Sequence, residues 1–203
     1  MASPDAASRP LTDFEQVLLG VIDSEPRSGY GLKKVFSSSP SSVYQPSPGA
    51  LYPALRRLEA RGLLRSHTTE SKGRRAQRMY HVTDAGRAAH VDWLRQPIVP
   101  ATVGADLGLH LMRFALMENH LPRAAVRAFL DDLANALDTF VTAMEQYLAS
   151  GVQAHRPYAE LAIAHGIAVH RASLEWTRSA VAALSQPPGR SHDRGQLPAL
   201  WQP

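Results

Sequence analysis

The residues of this sequence that could do chemistry are cationic and concentrated in one short region. Residues 56–78 contain eight lysines and arginines against only two acids, Glu59 and Glu70. Guanidinium and ammonium groups at this density bind phosphate oxygens through charge-assisted hydrogen bonds, and an arginine can also pair with the edge of a guanine. A solvated surface produces the same kind of charge run, so its meaning depends on the fold that carries it.

The formal charge is uneven along the 203-residue chain. Residues 1–100 carry 14 basic and 9 acidic residues, a net +5, and residues 101–203 carry 8 and 9, a net −1. We therefore expect the first half to be the part that meets a polyanion. The chain has no cysteine and no run of 18 apolar residues, so we expect no disulfide, no thiolate metal site and no membrane span. These features together are typical of a cytoplasmic protein.

Residue spacing does not support a metal site or a catalytic site. The nine histidines do not follow a metal-binding pattern; His165 and His170, for example, are five residues apart. The sequence contains no nucleophile elbow and no phosphate-binding glycine loop, so we expect neither an enzyme nor a cofactor. Single aromatic residues at helical spacing, such as Trp93 and Trp176, are ordinarily core residues.

The elements that position the cationic region follow from the hydrophobic periodicity. Thr12 and Glu15 form a capping box at the start of an amphipathic first helix. A short second helix follows, with Lys33 and Lys34 on its outer side. Both helices lead into the region that carries the arginines.

The third predicted helix carries the densest set of candidate binding residues. Ser47 is a good N-cap, and Pro48 fits the first helical position, where its missing N–H is not needed. With Leu51 at the centre of the buried face, a step of about 100° per residue defines the opposite, outer face. That outer face comprises Gly49, Pro53, Arg56 and Ala60, flanked by Tyr52 and Arg57. Because Pro53 removes a helical hydrogen bond, we expect a kinked or 3₁₀-like first turn.

A basic β-hairpin follows the third helix. Residues 63–70 and 76–83 are predicted to be its strands, the second with the alternation of a half-buried strand, and residues 71–75 its turn. Thr83 then caps a fourth helix. The predicted inner residues of this helix are Ala85, Ala89, Trp93 and Leu94.

Three helices, a basic hairpin and a fourth helix are the element order of a winged helix-turn-helix domain. In such a domain a helix enters the major groove and reads base edges, while the hairpin, or wing, contacts phosphates. The predicted partner is therefore double-stranded DNA. The predicted DNA contacts are Tyr30, Lys33, Lys34, Ser47, Gly49, Tyr52, Pro53, Arg56, Arg57, Lys72, Gly73, Arg74 and Arg75.

The sequence also resembles a known family through motifs within residues 12–95. These motifs are Gly29-Tyr30-Gly31, Leu51-Tyr52-Pro53-Ala54-Leu55, Arg57-Leu58-Glu59, Gly62-Leu63 and Tyr80-x-x-Thr83-x-x-Gly86. In combination they are similar to the DNA-binding domain of the PadR family of transcriptional regulators. The resemblance implies a homodimer, usually a repressor, that binds a palindromic operator. It also implies that a small-molecule effector, such as an aromatic acid or a cationic drug, releases the DNA. Trp93 and Trp176 are the candidate contacts for such an effector.

The second half is predicted to be helical after a linker at residues 96–104. In the helix over residues 122–149, apolar residues alternate at spacings of four and three, which is a heptad seam. The helix over about residues 157–185 has two apolar stripes, which indicates two packing partners. We therefore predict dimerisation contacts at Val126, Leu130, Leu133, Leu137, Phe140, Ile163, Ile167, Leu174, Trp176 and Val181. The alternative for the seam is an intramolecular core.

The predicted fold class is mainly α: a winged helix-turn-helix domain at residues 11–95 and a helical dimerisation domain at residues 105–185. Residues 1–10 and 186–203 are predicted to be flexible tails. The alternative function is a winged-helix protein-interaction module that does not bind DNA. Such a module should carry an apolar or mixed outer face on the third helix, whereas this one is cationic.

Overall fold

The computed structural model describes residues 9–38, 46–71, 74–153 and 155–185, and it confirms the predicted fold class. The predicted tails at residues 1–10 and 186–203 lie outside the described residues, except for residues 9 and 10. The helices are α1 (Asp13–Ser24), α2 (Gly29–Ser38), α3 (Pro48–Ala60), α4 (Asp84–Leu94), α5 (Val103–Leu116), α6 (Arg123–Ala149) and α7 (Pro157–Ser185). The strands are β1 (Arg27–Ser28), β2 (Leu64–Ser71) and β3 (Arg74–Val82). None of the described helices is both long and apolar enough to cross a membrane.

The chain divides into two compact units. The first unit comprises residues 1–97 and 105–122, and the second comprises residues 98–104 and 123–203. Residues 105–122, which the sequence assigned to the helical domain, thus pack with the first unit. The division of function between residues 11–95 and 105–185 stays a prediction.

The first unit is built on α1, which begins at the predicted capping box. The Glu15 backbone N–H donates to Thr12 Oγ1 over 3.2 Å, and the Thr12 backbone N–H donates to Glu15 Oε2 over 2.9 Å. These two bonds satisfy N–H groups that have no partner inside the helix. The core of the unit is aliphatic, and its fully buried side chains include Leu18, Leu19, Ile22, Leu32, Leu51, Leu55, Leu58 and Leu94.

The sheet has three antiparallel strands in the order β1-β3-β2, one more than predicted. The additional strand, β1, is two residues long, and Arg27 and Ser28 pair with Tyr80 and Met79 of β3. The predicted hairpin is formed by β2 and β3, in which Ser66 lies opposite Tyr80.

The fourth helix is capped as predicted, but its inner face differs. The Gly86 N–H donates to Thr83 Oγ1 over 3.1 Å. The buried residues are Gly86, His90, Trp93 and Leu94, whereas Ala85 is exposed and Ala89 half-buried. The prediction of Ala85 as an inner residue was therefore wrong, and Ala89 lies at the edge of the inner face. A Cβ on Gly86 would lie 2.1 Å from the Leu63 carbonyl oxygen, so close backbone packing selects glycine for the inner face.

The second unit is a pair of long helices, α6 and α7, that pack against each other. Four residues of the predicted seam, Val126, Leu130, Leu133 and Leu137, are buried within one chain, as are Ile167 and Leu174 of α7. This part of the seam is therefore covered without a second chain, which favours the intramolecular alternative for these four residues of α6. Phe140, Ile163, Trp176 and Val181 are half-buried, and their part in dimerisation stays a prediction.

Candidate nucleic-acid interface

The outer face of α3 is exposed as the helical periodicity predicts. Leu51, Ala54, Leu55 and Leu58 are buried on one side of the helix. The opposite side leaves Ser47, Gly49, Tyr52, Arg56 and Arg57 exposed and Pro53 half-buried. The hydrophobic stripe therefore fixes α3 to the first unit and leaves its polar face available to a partner.

The helix α3 continues through Pro53 to Ala60. Its first turn combines two bonding patterns, because the N–H groups of Ala50 and Leu51 both donate to the Ser47 carbonyl over 3.0 Å. Such shared bonds are common at helix termini, and the helix is α-helical from Pro48, so the kinked or 3₁₀-like first turn expected from Pro53 stays a prediction. Ser47 occupies the N-cap position, but its side chain makes no capping hydrogen bond.

The two central arginines of α3 differ in their partners. Arg57 Nε donates to Glu15 Oε1 over 2.7 Å, and Glu15 is buried in α1. Burial alone would raise the pKa of Glu15, but the Thr12 N–H and Arg57 outweigh it and lower that pKa. Arg56, by contrast, is exposed and forms no ion pair with any residue in the described part of the chain. Arg57 thus fastens α3 to α1, and Arg56 is the side chain left for a ligand.

A second polar group connects α3 to the hairpin. Glu59 accepts hydrogen bonds from Ser66 Oγ of β2 and from Arg78 Nη2 of β3, each over 2.5 Å. The Arg78 guanidinium also donates through Nε to Ser66 Oγ over 2.7 Å. Sequence reasoning assigned no role to Ser66 or Arg78, since the three residues meet only after the hairpin folds back on α3.

Between α3, β1, α2 and the hairpin lies an open groove of about 580 Å³. Its lining includes Tyr30, Tyr52, Arg56, Arg78 and Tyr80. Burial raises the pKa of the Tyr80 phenol, which therefore stays neutral and able to donate a hydrogen bond. The groove presents phenol and guanidinium groups together, a combination suited to a phosphate-bearing ligand.

The other predicted DNA contacts divide by where they lie. Tyr30 is 72% exposed, and Lys33 and Lys34 are exposed on α2. Lys72 and Gly73 lie outside the described residues, as do the side chains of Arg74 and Arg75. All of these assignments stay predictions.

The two tryptophans predicted as effector contacts belong to different units. Trp93 is buried in the first unit, where its Nε1–H donates to Asp13 Oδ1 over 3.0 Å and the Arg113 guanidinium lies 5.5 Å from its ring centroid. Trp176 is half-buried in the second unit. Among the described residues, no group of three or more His, Cys, Asp or Glu side chains is arranged to hold a metal ion.

Comparison with protein families gives a match in the first unit. Residues 18–91 match the model described as the transcriptional regulator PadR-like family. This segment runs from α1 to α4 and contains α3 and the hairpin. The family consists of regulators, which agrees with the expectation that the chain is not an enzyme.

Curated relatives match parts of the chain. Transcriptional regulator Rv3488 of Mycobacterium tuberculosis is 59% identical over 46 residues, which are 23% of this chain and 42% of that protein. Negative transcriptional regulator PadR of Bacillus subtilis is 29% identical over 91 residues, 44% of this chain and 50% of that protein. The matches thus span half or less of the length of these two relatives. Probable transcriptional regulator Rv1176c of M. tuberculosis is 22% identical, and the match covers 78% of this chain and 90% of that protein.

Solved structures resemble the chain more weakly. Bacillus subtilis PadR in complex with operator DNA is 19% identical and has a TM-score of 0.42. The match covers 85% of this chain and 99% of the PadR chain. The same protein in complex with p-coumaric acid is 17% identical and has a TM-score of 0.40. This match covers 86% of the present chain and 100% of the PadR chain.

Proposed function

We propose that this chain, whose residues 18–91 match the model of the PadR-like family of transcriptional regulators, is a repressor that binds palindromic operator DNA as a homodimer. The observation that carries the proposal is the exposed cationic face of α3, which lies beside a basic hairpin in the same compact unit. In winged domains that bind DNA, an exposed helix contacts the base edges and a basic wing contacts the phosphates.

In this proposal α3 enters the major groove. Arg56 reads a base edge, because it is exposed and is not engaged by an acid among the described residues. Arg57 acts mainly through Glu15, which holds the angle of α3 on α1. Ser47, Tyr52, Lys33 and Lys34, together with the wing residues Lys72, Arg74 and Arg75, contact phosphates and set the register.

The homodimer is supported by the exposed apolar side chains of α7. Tyr158 is 86% exposed, Leu161 67% and Val169 42%. These residues lie at spacings of three and eight, on adjoining faces of one long helix, and exposed apolar groups in such a row favour burial against another surface. A second copy of α7 related by a two-fold axis supplies that surface. The same axis presents two copies of α3 to two half-sites one helical turn apart.

Repression and effector release complete the proposal. Repression is supported by the name of the 29% identical relative from B. subtilis, a negative transcriptional regulator. A small-molecule effector is an expectation from the family resemblance, with Trp93 and Trp176 as candidate contacts. The interaction-module alternative has less support, because the exposed face of α3 carries two arginines rather than an apolar patch.

Selection of bound fragments from sheared genomic DNA by the purified protein tests the proposal. We expect recovery of a common inverted repeat, whose affinity falls steeply with salt because bound phosphates release counterions. The Arg56→Ala variant should lose this selectivity. Arg95→Ala removes the same charge from an exposed position after α4 and serves as the matched control. Recovery of no common sequence, together with a protein partner captured through α3, would reverse the proposal in favour of the interaction module.

A further inference from the structure

The contact between Glu59 and the hairpin closes a triangle of three side chains from three elements. Glu59 lies near the end of α3, Ser66 in β2 and Arg78 in β3. Each pair within the triangle shares a hydrogen bond of 2.5–2.7 Å, and Glu59 and Arg78 also form an ion pair. Removal of any one of the three therefore breaks two of the three hydrogen bonds.

The charge states of the triangle are stable near neutral pH. The pKa of Glu59 is lowered by the Ser66 hydroxyl, against the effect of burial, and further by Arg78. The pKa of Arg78 is raised by its hydrogen bond to Glu59. The carboxylate thus stays ionised and keeps accepting both bonds.

The triangle lies near the start of the hairpin, so a small change in its geometry would displace the far end of the wing. Only Arg61, Gly62 and Leu63 join α3 to β2, and Gly62 has a positive φ of 69°, so the chain turns sharply between the helix and the hairpin that folds back on it. Ser66 is the third residue of β2. From Ser66 to the end of β2 the strand runs about 17 Å, so a 10° rotation about the triangle would move that end by about 3 Å. A shift of that size breaks a hydrogen bond to a phosphate.

We propose that Glu59 is a positioning residue that fixes the wing against α3, so that phosphate contacts of the wing and base contacts of α3 are made in one register. The inference rests on the proposed DNA binding and deepens it. Arg78 helps to hold the wing in place, because its Nε donates to Ser66 and its Nη2 donates to Glu59.

The Glu59→Gln variant of the full chain is the first test. Affinity for the selected operator and for a random duplex of equal length is measured over a range of salt concentrations. We expect the ratio of the two affinities to fall about tenfold, while affinity for random DNA stays equal or rises because a carboxylate has been removed. Glu118→Gln, an exposed site of the same unit, is the control for the charge change. If Glu59→Gln raises both affinities alike and leaves their ratio unchanged, Glu59 acts only by repulsion and the proposal is overturned.

Arg78→Lys separates positioning from a direct phosphate contact. Lysine keeps the positive charge but cannot reproduce the two donors that bind Ser66 and Glu59. We expect Arg78→Lys to lower the affinity ratio at an unchanged salt slope, and Ser66→Thr, which keeps a hydroxyl, to bind nearly as the parent does. Parent-like specificity in Arg78→Lys would overturn the proposal.

Amide hydrogen exchange in the free protein keeps the test independent of DNA. In Glu59→Gln we expect faster exchange in β2 and β3 and unchanged exchange in α1 and α4, with a melting temperature close to the parent's. Equal exchange in the strands would overturn the proposal even if specificity had changed. If the parent itself selects no DNA, the proposed function fails, and exchange in the strands still decides whether Glu59 holds the wing.

Discussion

The two compact units differ in how completely one chain buries their apolar side chains. In the first unit, α1 buries seven of its twelve residues and the large aliphatic side chains of α1 and α3 are covered. In the second unit, α7 is 29 residues long, but only Ile167, Leu174 and Thr177 are buried in it. Tyr158 and Leu161 of the same helix stand largely in solvent.

This difference indicates that the two units have different roles, one in binding a ligand and the other in self-association. A unit with a closed core can present a polar face, such as that of α3, without help. A long helix with an exposed apolar row instead needs a further surface, and in our proposal a second chain provides it. We therefore expect substitutions in the first unit to change DNA binding, and substitutions on the exposed side of α7 to change self-association.

The largest effect is expected from truncating the buried side of the second unit. Leu133→Ala removes a fully buried side chain of α6 and leaves a cavity, which should cost about 2–5 kcal/mol of unfolding free energy. Urea denaturation followed by circular dichroism measures this cost.

The matched control is Leu161→Ala on the exposed side of α7. It should change the unfolding free energy of the single chain by less than about 0.5 kcal/mol while weakening self-association in sedimentation. If Leu133→Ala and Leu161→Ala lower the unfolding free energy equally, the second unit does not have one buried and one exposed face.

Acid should destabilise the closed core of the first unit. Burial, followed by the nearby His120, lowers the pKa of His90 to about 4, although Asp23 opposes the shift. Because an unfolded histidine has a pKa of about 6.5, the unfolded chain binds this proton first, and stability should fall between pH 6.5 and 4 by about 3 kcal/mol. Urea midpoints across this pH range measure the loss.

The His90→Leu variant should lose much less stability over the same pH range. His155→Leu, at an exposed site of the second unit, should keep the parent's pH profile. A parent-like profile in His90→Leu would mean that another group controls the acid response.

The two central arginines of α3 should separate binding from folding. Arg56→Ala is expected to cost about 1–3 kcal/mol of operator binding if the contact is a bidentate base contact, with no change in self-association. Arg57→Ala should instead lower the unfolding free energy by about 1–3 kcal/mol, since it leaves the buried Glu15 carboxylate without its guanidinium.

Fluorescence anisotropy with labelled operator and thermal unfolding measure the two quantities on the same preparations. If Arg56→Ala destabilises the fold and Arg57→Ala only weakens binding, the roles of the two arginines are reversed.

The smallest effect is expected at the start of α1. Thr12→Ala removes the side-chain half of the capping box and should cost about 1 kcal/mol of unfolding free energy. Thr12→Ser keeps the hydroxyl and should cost much less. Self-association, measured by sedimentation, should be the same in both variants, and a change there would mean that the two units do not act separately.

The sequence predicted best what depends on neighbours along the chain. The capping box at Thr12 and the outward position of Arg56 follow from residue spacing within one helix, and both are present. The strand β1 was missed because two residues, Arg27 and Ser28, are too few to show an alternation.

Contacts between distant segments could not be predicted in the same way. Gly86 and His90, rather than Ala85, face inward because the Leu63 backbone approaches Gly86 and because the ring of His90 fits where Gly20 has no side chain. The bond from Arg57 to Glu15 spans 42 residues, and the triangle at Glu59 requires the folded hairpin. These contacts separate positioning residues from candidate DNA contacts, which charge alone cannot do.

We propose above all that two chains present two copies of α3 to one duplex. Sedimentation equilibrium of the purified full chain with a duplex that carries the selected operator tests it most directly. We predict a self-associated dimer in the free protein and two chains per duplex at saturation, with half-sites about one helical turn apart. A free chain that stays single, or a saturated complex with one chain per duplex, would contradict the claim.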